Sequence, residues 1–134
     1  MVLPGIQALF GFQLIAVFNP RFRDDLSRFD QHVHYVAITL VALAIAIIMT
    51  PAAMHRQLGV DKVTESFLVV STRLLLASML PLALGIALDF YLIGRLVLGE
   101  GLAAPLAATL VAVFAFFWVA LPRSAKLQRL IERP

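Results

Sequence analysis

Cysteine is absent from the 134 residues, which excludes disulfides, thiol redox chemistry, cysteine zinc sites and iron–sulfur clusters. Charge is scarce as well. Asp, Glu, Lys and Arg supply 14% of the chain against 61% hydrophobic residues, and mean hydropathy is +0.93. Soluble domains carry roughly 25% charged residues, so a water-soluble enzyme, a disordered tail and a nucleic-acid binder are excluded. The net charge of +3 and the pI near 10.0 do not reverse this. A Ser–His–Asp triad, a phosphate-binding glycine loop and paired catalytic carboxylates are all missing, so no enzymatic activity is expected.

What remains is apolar sequence in long runs. Residues 1–20, 31–55 and 101–122 hold no charge, and residues 66–88 hold only Arg73. Each window reaches the ~20 apolar residues that cross a bilayer. The first is read as a retained helix and not as a secretory signal, because no basic residue precedes Arg21 and a signal opens with Lys or Arg. The expected architecture is a single all-α domain over residues 1–134, an integral membrane four-helix bundle. Its spans are predicted at about residues 3–18, 32–50, 66–89 or onward to 98, and 102–121.

Local punctuation sets these bounds. Pro4 sits in a first turn, where its missing N–H costs nothing, and Asn19 and Pro20 stop the first span. Pro51 closes the second or opens a short turn after it, Pro81 is expected to kink the third, and Pro122 ends the fourth. Between the first two spans, residues 21–30 hold Arg21, Arg23 and Arg28 against Asp24, Asp25 and Asp30. Phe22, Leu26 and Phe29 recur there at helical spacing, which predicts a short interfacial amphipathic helix. The tail, residues 123–134, places Leu127, Leu130 and Ile131 beside Lys126, Arg129 and Arg133. Its four basic side chains against Glu132 account for the whole net charge, and such a segment suits an anionic membrane surface or a partner. Counting Lys and Arg by side gives Arg56, Lys62, Arg123, Lys126, Arg129 and Arg133 against Arg21, Arg23, Arg28 and Arg95. The positive-inside rule then puts both termini in the cytoplasm, N-in and C-in.

Small residues mark where membrane helices approach closely. Ala42 and Ala46, Ala83 and Ala87, and Ala104, Ala108 and Ala112 each repeat every four residues. Ionisable groups within spans are functional candidates by default. Arg73 lies roughly 10 Å into its span, where it either snorkels to the headgroups or pairs with Gln7 or Gln13. Asp89 is sixteen residues further on, about 24 Å away and 160° around the helix, so the two cannot pair. Asp89 is expected to cap its helix end, or to meet Arg95 or an arginine of residues 21–30. Gln7 and Gln13 are expected to form interhelical hydrogen bonds. No carboxylate or histidine is expected near the middle of a span, which counts against a self-contained ion-coupled transporter.

No metal site is expected, because His32 and His34 point in different directions on a helix and no acidic pair flanks them at metal spacing. His34 and His55 fall at opposite ends of one span, roughly 30 Å apart, and cannot share a haem. Each stays a weak candidate as a single axial ligand to haem or a pigment, beside the reading of His34 as an interfacial histidine. His55 and Arg56, at a membrane exit, would sit at phosphate level and bind a headgroup or a partner carboxylate.

Certain strings carry a resemblance. Leu3, Pro4, Gly5, Ile6, Gln7, Ala8, Leu9, Phe10, Gly11 and Phe12, then Arg21 and Phe22, then Pro51, Ala52, Ala53, Met54, His55 and Arg56, and Arg73 resemble an uncharacterised family of small bacterial four-helix membrane proteins. The resemblance covers most of the first three spans. It implies the four-span topology and a bacterial inner-membrane location, and it supplies no activity. Members usually carry a polar stretch before the first helix, so a start upstream of Met1 is an open expectation.

Three functions follow as expectations. The first is a non-enzymatic accessory or scaffold subunit of a larger membrane complex, in contact with lipids and partner helices through Arg73, the His55–Arg56 exit and the basic tail. The second is a small ion or solute transporter or channel lined by Gln7, Gln13, Arg73 and Asp89. The third is a haem- or pigment-binding subunit.

Overall fold

The computed structural model describes residues 3–58 and 64–124. Among them every regular element is helical: α1 (Leu3–Phe18), α2 (Arg21–Asp25), α3 (Arg28–Leu58), α4 (Glu65–Leu98) and α5 (Glu100–Ala115), which widens into a last turn at Phe116–Ala120. There the Leu121 N–H reaches the Phe116 carbonyl at 2.8 Å, a five-residue step. The tail side chains Lys126, Arg129 and Arg133 lie outside the described residues, as does Lys62.

Three helical stretches, Arg28–Gln57, Glu65–Leu98 and Glu100–Ala120, are long and apolar enough to cross a membrane. α1 is apolar but has 16 residues, roughly 24 Å at 1.5 Å per residue, short of the ~30 Å hydrocarbon core.

Local chemistry explains where the helices start and stop. The Asn19 side chain accepts the Arg21 N–H at 3.1 Å and its carbonyl accepts the Phe22 N–H at 2.9 Å, which turns the chain from α1 into α2. α2 occupies half of the amphipathic segment predicted from residues 21–30. Ser27 then opens α3: its Oγ accepts the Asp30 N–H at 3.2 Å and donates to Asp30 Oδ2 at 2.6 Å. Ser27 is thus the N-cap, held by the Asp30 carboxylate, and it starts the helix at Arg28 instead of at His32. At its other end α3 does not stop at Pro51. The proline removes one backbone donor, a loss that an apolar helix tolerates where neighbouring groups compensate, and helix continues to Leu58. Thr64 caps α4 in turn, with Oγ1 accepting the Phe67 N–H at 3.2 Å. α4 passes through Pro81 and ends at Gly99, whose φ of +86° favours glycine.

The chain divides into two compact units, Met1–Asp89 and Phe90–Pro134, with the border inside α4. In the first, α3 buries His34, Ala37, Ile38, Val41 and Ala44, a single helical stripe. α4 offers Ser78, Leu82, Gly85 and Asp89 at i, i+4, i+7 and i+11, the first three of them buried. Gly85 marks the closest approach of these helices: a Cβ there would lie 2.9 Å from Val41 Cγ2 and 3.1 Å from the Ala37 carbonyl oxygen. α1 contributes Ile6 and Gln13 to this interior.

In the second unit Gly94 meets Ala103, where an added Cβ would lie 3.2 Å from the Ala103 Cα. Of the three predicted small-residue pairings, only Ala83 and Ala87 are buried. Ala46 and the Ala104, Ala108 and Ala112 stripe are exposed.

Candidate functional site

Within the first unit, three helices each bring one polar side chain to the same point. Gln13 comes from α1, seven residues beyond buried Ile6. His34 comes from the buried stripe of α3, and Asp89 from the α4 stripe that carries Gly85. Because α3 and α4 run antiparallel past the Gly85 contact, stepping back three residues from Ala37 and forward four from Gly85 sets His34 opposite Asp89. Gln13 is 5% exposed and His34 8%.

Two hydrogen bonds and one ion-pair contact link the three residues in a closed circuit. Gln13 Nε2 donates to Asp89 Oδ2. His34 Nδ1 lies 3.3 Å from Asp89 Oδ1, and His34 Nε2 lies 3.1 Å from the Gln13 backbone carbonyl oxygen. A carbonyl can only accept, so Nε2 must carry a hydrogen. The contact between Nδ1 and Oδ1 then needs one more proton, held on either atom. With it on nitrogen the pair is imidazolium and carboxylate; with it on oxygen the pair is imidazole and carboxylic acid. Both forms have zero net charge, which is what an apolar interior tolerates. Gln13 Oε1 and Asp89 Oδ1 are both buried without a hydrogen-bond partner among the described residues; Asp89 Oδ1 has the ion-pair contact with His34, and Gln13 Oε1 offers a free acceptor at the same point. Phe22 of α2 covers the imidazole, with ring centroids 5.3 Å apart.

This arrangement corrects several sequence expectations. Asp89 neither caps a helix end nor meets an arginine, because α4 extends nine residues past it and turns it toward His34. Arg95 is engaged elsewhere, with Glu100 and 5.8 Å from the Tyr91 ring centroid. His34 is buried among the helices of the chain and is not an exposed histidine. Both of its ring nitrogens are engaged within the chain, which leaves neither for an axial bond to a cofactor. Gln13 makes the expected interhelical bond, whereas Gln7 is exposed and makes none among the described residues. Arg73 is exposed and pairs with no described residue. His55 and Arg56 are exposed near the end of α3, with the His55 ring 5.8 Å from that of Phe67.

Two signals could have exposed the junction earlier. One is Ser27-x-x-Asp30, which lengthens α3 at its start. The other is the Ser78, Leu82, Gly85, Asp89 spacing, which puts the carboxylate on a packing face.

Beside the junction lies an open cleft of about 460 Å³, lined by Val17, Phe22, Arg23, His32, Tyr35 and Ile38, with Gln31 and His34 completing it. His34 is thus shared: its nitrogens face the junction and its ring borders the cleft.

Chemically, the junction can do two things. It ties three helices together through polar bonds, and it holds one proton between a histidine and a carboxylate. Among the described residues no group of three or more His, Asp or Glu side chains is placed to hold a metal ion.

Comparison with curated proteins and with solved structures gives no match. The sequence profile of a family of unknown function, DUF6328, does match, over residues 1–122. That range contains α1 to α5, the junction and the cleft, and it leaves out the basic tail. With nearly all of its length matched, the chain belongs to the DUF6328 family of unknown function.

Proposed function

We propose that the protein is a non-enzymatic accessory or scaffold subunit of a larger complex in a bacterial inner membrane, packed against partner helices and lipids. The observation that carries this reading is the surface of α5. Ala103 is its one buried residue, while Leu102, Leu106, Val111 and Val113 are exposed together with the Ala104, Ala108 and Ala112 stripe. An apolar helix with a small-residue face left open suits close approach by another helix in lipid. Gentle extraction from native membranes followed by native mass spectrometry tests it. A partner protein retained by the chain supports the reading, and a chain that runs alone or only with its own copies sinks it.

The four-span, N-in and C-in topology belongs to the same proposal. It is supported by the distribution of Lys and Arg and requires α1 to cross despite its length, through local thinning of the bilayer or through residues before Leu3.

A second reading, a proton-coupled transporter, is favoured by the His34–Asp89 pair and by the open acceptor at Gln13 Oε1. Ionisable residues inside spans commonly mark proton paths. On a 31-residue α3, His34 sits roughly 13 Å from the helix centre, within the hydrocarbon core but near its edge. Vesicles reconstituted with the protein and a pH-sensitive dye test this: flux that Asp89→Asn abolishes supports it, and no flux in the unaltered protein removes it.

A further inference from the structure

We propose that the cleft bounded by α1, α2 and α3 binds the headgroup of one anionic glycerophospholipid, with Arg23 as the principal phosphate ligand. The proposal uses the membrane setting but not the scaffold role, and its test leaves the partner experiment untouched.

The cleft has two kinds of wall. Arg23 and Tyr35 supply the donor-bearing side chains, His32 spends its Nδ1–H on the Arg28 carbonyl at 2.5 Å and leaves Nε2 of the neutral ring as an acceptor, and no acidic residue lines the cleft. Arg23 is exposed and pairs with no described residue, so its guanidinium is free to grip a phosphate in fork geometry. Gln31 spends its Nε2 on the Leu26 carbonyl at 3.0 Å, which leaves Oε1 to accept from a hydroxyl of the headgroup. Val17, Phe22 and Ile38 form the other, apolar wall. Next to Val17 on α1, Phe18 is 84% exposed and offers apolar surface for an acyl chain.

At about 460 Å³ the cleft falls in the ~300–1,000 Å³ range of ligand sites. That accommodates a headgroup but not a whole lipid. Its mouth, where Arg23 and His32 are exposed beside the first turns of α3, falls at the edge of the hydrocarbon core and within reach of a headgroup, while Ile38 lies deeper.

Local net charge does not account for this site. Arg21, Arg23 and Arg28 are balanced by Asp24, Asp25 and Asp30, so retention of an anion must come from the geometry of the cleft and not from a basic patch. That separates Arg23 from Arg73, which is exposed and does not line this cleft.

The test uses the full chain in detergent, titrated with dioctanoyl phosphatidylglycerol and read by native mass spectrometry. One lipid equivalent should be retained, and the same chains on a phosphatidylcholine head should bind more weakly. Arg23→Gln should lower affinity about tenfold, ~1.4 kcal/mol, and Tyr35→Phe should lower it less. Both positions are exposed, so the fold is expected to survive, with circular dichroism as the check. Arg73→Gln, an equal loss of charge, should leave binding unchanged. The proposal is overturned if the two headgroups bind alike or if Arg73→Gln weakens binding as much as Arg23→Gln. Displacement of the lipid by equimolar inorganic phosphate would make this a free-anion site and also overturns it. So does an Arg23→Gln effect confined to splitting an oligomer, which would make the cleft a contact between copies.

Discussion

Replacing Asp89 in two ways separates hydrogen-bond geometry from charge at the junction. In Asp89→Asn, the new carbonyl can accept from Gln13 Nε2 while the new amide donates to His34 Nδ1. Because His34 Nε2 already carries its hydrogen toward the Gln13 carbonyl, Nδ1 of the neutral ring is a lone pair ready for that donor. All three contacts of the circuit survive, and the cost should be under ~1 kcal/mol. Asp89→Leu has no such option. It strands the Gln13 amide N–H and the His34 Nδ1 in a helix interface where both residues are under one-tenth exposed. An unsatisfied buried polar group costs about 1–3 kcal/mol, while interhelical bonds in membranes average only ~0.6 kcal/mol because the unfolded chain finds partners too. The two groups together should therefore cost about 2–4 kcal/mol.

The assay is unfolding in mixed micelles, with SDS as denaturant and helical circular dichroism as signal. A cycle combining Asp89→Leu with His34→Leu adds a second readout, since removing His34 first takes away one stranded group. The pair should couple by about 0.5–3 kcal/mol. Equal destabilisation by Asn and Leu would refute the circuit and show that the carboxylate charge itself matters. A Leu variant as stable as the unaltered protein would show that the three side chains do not meet.

Gly85→Ala should destabilise by about 1–3 kcal/mol through overpacking, because its Cβ would meet Val41 Cγ2 and the Ala37 backbone oxygen, and the oxygen has no room to yield. Adding Val41→Ala should recover part of the loss in the same SDS titration, and no recovery would contradict the contact. Ser27→Ala should cost about 1 kcal/mol through the lost cap and fray the start of α3, read as faster amide exchange at residues 28–31. The cysteine-free chain suits topology mapping by single cysteines: under the proposed N-in, C-in arrangement, Asn19→Cys should react with a membrane-impermeant maleimide from outside intact cells, and Ser124→Cys only after lysis. Labelling of both positions from the same side would overturn the four-span topology.

The sequence yielded the helical class and the first element almost to the residue, because Pro4 and the Asn19–Pro20 pair act locally. It misjudged elements whose ends depend on weaker or conflicting signals. Pro51 reads as a stop, but in an apolar helix flanked by Ala52, Ala53 and Met54 the loss of one donor does not outweigh continued helix, and α3 runs on to Leu58. Small residues misled in a comparable way. Alanine fills helices whether or not another backbone is near, so its spacing alone could not distinguish the buried Ala83 and Ala87 from the exposed Ala104, Ala108 and Ala112. The tight approaches fall instead at Gly85 and Gly94, where no alternative role competes.

Boundary errors of a few residues decided how the candidate site was read. Starting α3 at His32 put His34 in a first turn at the membrane surface, where an interfacial role follows. The Ser27 cap moves that start to Arg28 and leaves His34 inside the helix, on its buried stripe. For α4 the sequence left two ends open, Asp89 and Leu98: the shorter made the carboxylate a terminal group facing loop arginines, whereas the longer, which the helix adopts, fixes it inside the helix at the spacing of Ser78, Leu82 and Gly85. Neither shift alone creates the junction. It needs the antiparallel register set by Gly85 against Ala37 and Val41, a contact between residues more than forty positions apart. The main case against a transporter had been the lack of a carboxylate or histidine near the middle of a span. The His34–Asp89 pair answers it only in part, since His34 sits roughly 13 Å from the centre of α3 and each proton-bearing atom is tied to a neighbour on a different helix. A rigid brace keeps those bonds and a proton carrier must break them, so hydrogen exchange at Gln13, His34 and Asp89 separates the two roles.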